Sequence, residues 1–389
     1  MLIKFIAVLL TMVLLPSTFE SPTLKNQKFK VVIHDQKLYA ELEKSSTVFV
    51  AYGPLFSGRS QLVEMSAAFR NIKSLDIGED IFVANFIDDD RIVSLNRRNE
   101  VKITELRDGR VFQEKQLNFV NINNHEFHID LYSNIIYFLR YPDRSCSENE
   151  HTIAMCAKLG MDHSDSFLDC QINESSTNGD VIRQWSLADV LDASQYDQAF
   201  DMNMSVQNKW LDVFHCNSID TKPGRILVSA RNLNSIFELD TATGYVNWKI
   251  GGSNLDGKSI IVSPRNRKQL TISRQHDARY LGNNRISFFD NSTFIDRPAR
   301  GVVIEFKNRR ITRSINFVNP DLSNSDCMGS FRAFDDGKWF VLGYGCSSEV
   351  ATVFKSNGTA VVSLVQWPNK YNSPLYGTKT PFSYRVVTR

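Results

Sequence analysis

Beyond its N-terminus the chain has no long apolar run, so no second segment of the sequence is long enough to cross a bilayer as a helix. It has no lysine/arginine stripe interleaved with aromatics, and with a net charge of only +2 nothing in its composition points to nucleic acid. Its six cysteines include no C-x-x-C pair, which argues against a cysteine/histidine zinc site. Low-complexity tracts are missing as well, and 42% apolar residues over 389 positions are enough to bury a large core. Helical periodicity is scarce. Only Leu187–Leu191, with Ser186 as N-cap, reads as a short helix.

The N-terminus reads as a leader. Lys4 precedes an apolar stretch from Phe5 to Leu15, followed by Pro16-Ser17-Thr18 and a polar segment. Residues 1–20 are therefore expected to be a signal peptide, and residues 21–389 a single domain in the secretory lumen or outside the cell, with no membrane attachment after cleavage. Cysteine usage suits that compartment. Cys327 and Cys346 flank a turn at Asp336-Gly337 and are the expected pair, whereas Cys216, between His215 and Asn217, is expected to be a buried, inert thiol. Four sequons, at Asn173, Asn203, Asn291 and Asn357, fit glycosylated surface loops.

Short apolar runs bounded by turn residues fill the rest of the chain. Ile81–Phe86, Ile135–Leu139, Ile226–Ser229, Ile236–Leu239, Val246–Ile250, Ile286–Phe289, Val302–Phe306, Trp339–Leu342 and Val361–Val365 have the size and the Val/Ile/Phe content of strands. Turns near Glu79, Ser133, Gly224, Asn283 and Asp336 are spaced by 54, 91, 59 and 53 residues. The long interval holds a cysteine- and sequon-bearing segment at about 143–179, expected to be an inserted lid or glycosylated loop. Without it the period is roughly 55 residues, enough for a four-stranded sheet, and the chain divides into about six such units. The expected fold is all-β, a six-bladed β-propeller.

The repeat also carries chemistry. A histidine stands about eight residues ahead of a tight turn and an apolar run in three units, at His125, His215 and His276. In a propeller these positions lie on inner strands and converge on the channel. A fourth copy has Gly329-Ser330 at the equivalent place. His215 and Asn217, two apart on an extended segment, are expected to point the same way, with Arg231 returning to the same mouth from the next strand. Each of these residues alone is more often structural. At repeat-equivalent positions they form a donor-rich cup suited to a tetrahedral oxyanion, since a guanidinium fork bonds two oxygens while carboxamide and imidazole donate to others. Three imidazoles also suit zinc, but Arg231 beside them opposes a cation.

The stretch FHCNSID, then ILVSARNLNSIFELDTATGYVNWKIGG, RQHDARYLGNNRISFFDN and ARGVVIEF, resembles the arylsulfotransferase family, and more closely its shorter eukaryotic branch. DCMGSFRAFDDGKWFVLGYGCSSEVATVFKSNGTAV continues the likeness, and HEF resembles the family's first histidine motif. The resemblance implies a propeller enzyme that moves a sulfuryl group from a phenolic sulfate donor to a phenol acceptor, without a nucleotide sulfate donor; no cofactor or metal is expected. It implies that His276 is transiently sulfurylated, that His215, Asn217 and Arg231 hold the sulfuryl oxygens, and that His125 is a further active-site histidine. His125 is expected to be the acid that protonates the departing phenolate, with His128 as its substitute, and Asp277 is expected to bias the His276 tautomer. Asn291 falls near the site in the same likeness, which implies an unused sequon.

Overall fold

A computed structural model describes residues 19–20, 28–52, 61–76, 81–86, 90–96, 100–107, 110–117, 122–123, 125–130, 133–192, 196, 211–252, 271–319, 325, 327–345, 349–367 and 385–388. The architecture is all-β. Among the described residues six antiparallel sheets, each of four strands or more, follow one another along the chain, with one small three-stranded sheet beside them. Every apolar run singled out above lies within a strand of one of the six large sheets.

The first sheet is made from both ends of the chain: Arg385–Thr388 pairs with Val48–Tyr52, which continues into Gln61–Ser66 and Lys73–Asp76. The second runs from Ile81–Phe86 to Arg110–Leu117, the fourth from Cys216–Lys222 to Val246–Gly251, and the fifth from His276–Tyr280 to Arg310–Val318, each a meander of consecutive hairpins. The third joins Phe127–Asp130 and Ile135–Arg140 to Gln171–Ser176 and Val181–Ser186. The sixth, Ser330–Phe334 to Ala360–Trp367, gains Lys28–Ile33 on its outer side, and Phe19–Glu20 pairs in turn with that strand. Residues 1–18 of the expected leader lie outside the described residues.

Successive sheets share their cores. Ile226 and Val228 of the fourth pack with Ile172 of the third, Leu227 and Ile236 with Ile286 and Phe288 of the fifth, and Phe289 with Phe331 and Phe340 of the sixth. Val341 and Val353 of the sixth join Phe49 and Met65 of the first. Central strands such as Trp339–Gly343 are buried along their whole length, because a sheet stacked on both faces needs apolar side chains at every position. The outer strand Val181–Ser186 is exposed over most of its length. This explains why the runs read in the sequence are continuous rather than alternating.

The segment at about 143–179 differs from the expected loop. Gln171–Ser176 is an internal strand of the third sheet. The remainder holds Asp143–Ser145, a helix at Glu150–Lys158 and Ser166–Leu168. Asn149 caps that helix reciprocally with Thr152, an N-x-x-T signal that periodicity alone did not expose. A further helix, Gln36–Leu42, starts on an Asp35 cap. The Leu187–Val190 helix follows Ser186 as expected. Cys146 bonds Cys156, tying the inserted helix to its approach. Cys170 bonds Cys216, so the expected free thiol is half of a disulfide. Cys327 is also disulfide-bonded, while Cys346, its expected partner, lies outside the described residues.

Burial sorts the sequons. Asn173 is fully buried within the third sheet, where its Oδ1 accepts from Gln184 Nε2 at 2.8 Å, and Asn291 is fully buried in the candidate site. Asn357 is exposed in a hairpin turn, and Asn203 lies outside the described residues. When the chain is secreted from a eukaryotic host, glycopeptide mapping is expected to find a glycan at Asn357 and none at Asn173 or Asn291. A glycan at Asn173 would require a third sheet different from this one.

Candidate functional site

Candidate site residues cluster where the first strands of the third, fourth and fifth sheets begin. His215 directly precedes the first strand of the fourth sheet and has a left-handed backbone, φ 47°. Asp212 holds it there: one carboxylate oxygen accepts the His215 backbone N–H at 2.9 Å and the other accepts the ring Nδ1–H. Burial works against charge on Asp212, but the adjacent His215, its two hydrogen bonds and the Arg231 guanidinium outweigh it and keep the carboxyl below the usual carboxylate range. The D-x-x-H spacing was the available sequence signal for this pair.

The inserted segment braces this stretch from both sides. Leu211–Asp212 pairs in parallel with Phe167–Leu168, and four residues later the Cys170–Cys216 disulfide pins the chain again. The segment is thus part of the scaffold under His215.

The left-handed turn and a bulge between Cys216 and Ser218 break the extended geometry expected for His215 and Asn217. His215 keeps a quarter of its side chain exposed, while Asn217 is fully buried and donates through Nδ2 to the Gln275 carbonyl at 2.7 Å. Asn217 thereby ties the fourth sheet to the strand entering His276.

His125 meets His215 edge-on, with ring centroids 4.7 Å apart, and stacks against Tyr141 at 5.8 Å. Asn123 Oδ1 accepts the His125 backbone N–H at 3.0 Å, which fixes the carboxamide orientation, and the same oxygen accepts the ring Nδ1–H. Tyr141 donates its hydroxyl to the Cys216 carbonyl. His128 lies on the strand that follows His125, Phe127–Asp130, and lines a cavity of about 330 Å³ together with Asn85, Glu126, Asp220, Arg279 and Arg332, which lie in or next to the first strands of five sheets.

Arg231 follows the second strand of the fourth sheet, and its backbone N–H donates to the His215 carbonyl at 3.2 Å, which sets its main chain beside His215. Its Nη1 donates to Asn232 Oδ1 at 3.1 Å, and Arg274, a residue the repeat did not single out, donates to the same oxygen. Both guanidiniums are buried. Asn232 in turn donates to the Asp212 carbonyl at 2.6 Å, so one carboxamide joins both arginines to the segment that carries His215. Two like charges are thus brought together on one neutral oxygen.

His276 opens the first strand of the fifth sheet and is 3% exposed. Two acceptors converge on its Nδ1, the Asn291 Oδ1 at 2.7 Å and the Arg274 carbonyl at 3.0 Å. Asn291 is itself oriented by donating Nδ2 to the Met328 carbonyl at 2.9 Å. The proton of the neutral ring therefore sits on Nδ1 and the lone pair on Nε2. The expected role of Asp277 in this tautomer is corrected. With φ 55° at Asp277 and a bulge between His276 and Arg279, its carboxylate turns to Arg279 at 2.7 Å, to Arg332 at 2.7 Å and to the Phe331 backbone N–H at 2.9 Å. Arg279 also pairs with Glu126 next to His125. This buried network braces three sheets beneath the histidines.

At the fourth copy of the repeat, Gly329 has φ 106°, and a Cβ there would lie 2.3 Å from the Phe289 ring. No side chain fits at that position, and the sixth sheet contributes none there. Among the described residues no group of three or more His, Cys, Asp or Glu side chains is placed to hold a metal ion, and no helix is long and apolar enough to cross a membrane.

A family model described as arylsulfotransferase (ASST) matches residues 91–366. Comparison with curated proteins finds no match. Among solved structures, the chain is similar to a protein of unknown function from Bacteroides caccae, with 10% identity, TM-score 0.44 and coverage of 88% of this chain and 99% of that one. It is also similar to a putative 6-phosphogluconolactonase from Bacteroides fragilis, with 7% identity, TM-score 0.47 and coverage of 89% and 98%. Likeness at this level decides neither fold nor activity.

Proposed function

We infer, from the premise that the chain belongs to the arylsulfotransferase family, that it transfers a sulfuryl group from a phenolic sulfate to a phenol through a sulfohistidine on His276. The observation that carries this reading is the fixed tautomer of His276, two residues after Arg274, which meets Arg231 on one carboxamide oxygen. An uncharged imidazole with its lone pair on Nε2 is a good nucleophile near neutral pH, and a covalent intermediate divides one transfer into two easier displacements. Attack on sulfur expels a phenolate through a loose transition state in which charge spreads over the SO3 unit. Arg231 and Arg274 are the groups to meet that charge, because donors already in place need no reorganisation as it develops. Asn217 acts through the main chain, holding Gln275 and so His276 against the fourth sheet. Proton handling falls to the His125–His215 pair.

Finer features belong to the same reading. Six large sheets in sequence order, a first sheet completed by the C-terminal strand, and a cavity reached by the inner-strand segments of five sheets support a single six-bladed propeller. The matched motifs of the shorter eukaryotic branch support placement there. Disulfides at Cys146–Cys156 and Cys170–Cys216 support a secreted protein.

The experiment is turnover of a chromogenic aryl sulfate with and without added phenol. Release of the chromophore is expected to accelerate with phenol, and sulfated phenol is expected to accumulate in equal amount. Release that ignores phenol would indicate a hydrolase, and binding of aryl sulfate without release would indicate a non-catalytic anion-binding protein.

A further inference from the structure

We propose that Phe294 is the platform against which the aromatic ring of the substrate rests, and so the residue that makes this site prefer aryl over alkyl groups. This rests on the sulfotransfer reading of the site and concerns the part of the substrate that the sulfuryl-binding groups do not recognise.

Three observations single out this side chain. The first is its backbone: Phe294 has φ 63°, in the left-handed region, where a bulky side chain is a genuine outlier. The second is what imposes that conformation. The loop that carries Phe294 begins at Asn291, whose carboxamide orients His276, and it is clamped on both sides. One oxygen of the Asp290 carboxylate accepts the backbone N–H of Ser273 at 3.0 Å and of Ser292 at 3.1 Å, and the other accepts from the guanidiniums of Arg297 at 2.6 Å and Arg300 at 3.0 Å. Thr293 donates its hydroxyl to the Ser325 carbonyl at 3.0 Å, and its own carbonyl accepts from the Ser273 hydroxyl. Strained conformations persist only where the surroundings over-determine them, and they cluster at ligand clamps and active sites. The third is the setting of the ring. Asp290, Asn291, Ser292 and Thr293 are all buried, yet Phe294 is 69% exposed, with the Arg274 guanidinium 5.7 Å from its ring centroid.

An exposed phenylalanine by itself is ordinary. Phe112 is exposed on the last strand of the second sheet and Tyr245 just before the last strand of the fourth, whereas Phe294 meets a residue of the candidate site. Arg274 donates to the Asn232 oxygen that Arg231 also uses, and its carbonyl accepts the His276 Nδ1–H. Phe294 therefore stands against a guanidinium assigned to the sulfuryl oxygens, and the aryl group of a donor is joined to that sulfur through a single oxygen. Aromatic rings gain from offset or edge-on contact beyond the area they bury, and a loop fixed before the ligand arrives loses little freedom on binding. An alkyl group forfeits the ring contact.

Sulfonates separate the ring from the anion, because they present the same SO3 group on carbon, where it is not transferred. Dissociation constants of methanesulfonate, benzenesulfonate and 2-naphthalenesulfonate are measured by calorimetry for wild type, Phe294→Ala and Phe294→Tyr, together with kcat and KM for 4-nitrophenyl sulfate. Phe294→Ala is expected to weaken both aryl sulfonates about tenfold and to leave methanesulfonate within about twofold, and Phe294→Tyr is expected to bind all three as wild type does. KM for 4-nitrophenyl sulfate should rise in Phe294→Ala with kcat nearly unchanged, since a platform holds ground state and transition state alike. The ring is largely exposed, so both variants should keep the fold. Equal weakening of all three sulfonates in Phe294→Ala would overturn the proposal and reduce Phe294 to a support for Arg274. Unchanged aryl sulfonate affinity would overturn it outright. Loss confined to the aryl sulfonates, in a protein whose wild type releases no chromophore from 4-nitrophenyl sulfate, would overturn the sulfotransfer reading and leave the aryl platform standing. A wild type that binds none of the three would overturn both.

Discussion

His276→Ala is expected to reduce sulfuryl transfer to background and to abolish covalent labelling. A ping-pong enzyme given donor without acceptor accumulates its intermediate. Brief exposure of the wild-type protein to an aryl sulfate, followed by digestion under mildly basic conditions that preserve the N–S bond, should leave one SO3 group on the peptide containing His276. The fold should survive the substitution. The ring is one buried side chain among many, and the salt bridges of Asp277 with Arg279 and Arg332 that brace the sheets beneath it do not involve the imidazole. Asn291 would lose one partner but keep its bond to the Met328 carbonyl. Label on His125 or His215 would reassign the nucleophile while keeping the reaction class. Turnover with no labelled histidine would replace the covalent route with direct transfer or hydrolysis.

Arg231→Lys is expected to cost on the order of a hundredfold or more in transfer, although the charge is retained, by comparison with removal of a preorganised oxyanion donor. Arg231 donates to Asn232 Oδ1, the carboxamide oxygen it shares with Arg274, and its planar fork matches the geometry of an oxyanion. An ammonium is a point charge on a flexible stem and cannot hold Asn232 and two sulfuryl oxygens in one plane. The loss should appear in kcat more than in KM, since the fork matters most where charge develops. A near wild-type rate would remove Arg231 from the mechanism.

Local pattern was a good guide where local forces decide. Strand positions depend on short runs of β-branched and aromatic residues between turns, and the runs from Ile81–Phe86 to Val361–Val365 all fall within strands. In the structure His276 starts the first strand of its sheet, and His215 and His125 stand just before the first strands of theirs. Local pattern failed where the backbone departs from regularity. An extended strand places His215 and Asn217 on one face, but the left-handed turn at His215 and the bulge after it send one ring to the mouth and the other side chain into the seam between sheets. The turn depends on Asp212, on a strand pairing with Leu168 and on a disulfide to Cys170, and of these only Asp212 is a sequence neighbour.

Composition and residue order were enough to establish an all-β chain with a repeated unit, because strand propensity and period are properties of neighbouring residues. The tertiary structure decided which atoms meet: Asn291 rather than Asp277 on His276, Arg274 beside Arg231 on Asn232, Asp212 behind His215, and a disulfide where a free Cys216 was expected. These contacts depend on how separate sheets and the braces between them stack, and on burial that makes each polar group take whichever partner the stacking brings within reach. The same stacking closed two of the four sequons and left Gly329 no space for a side chain.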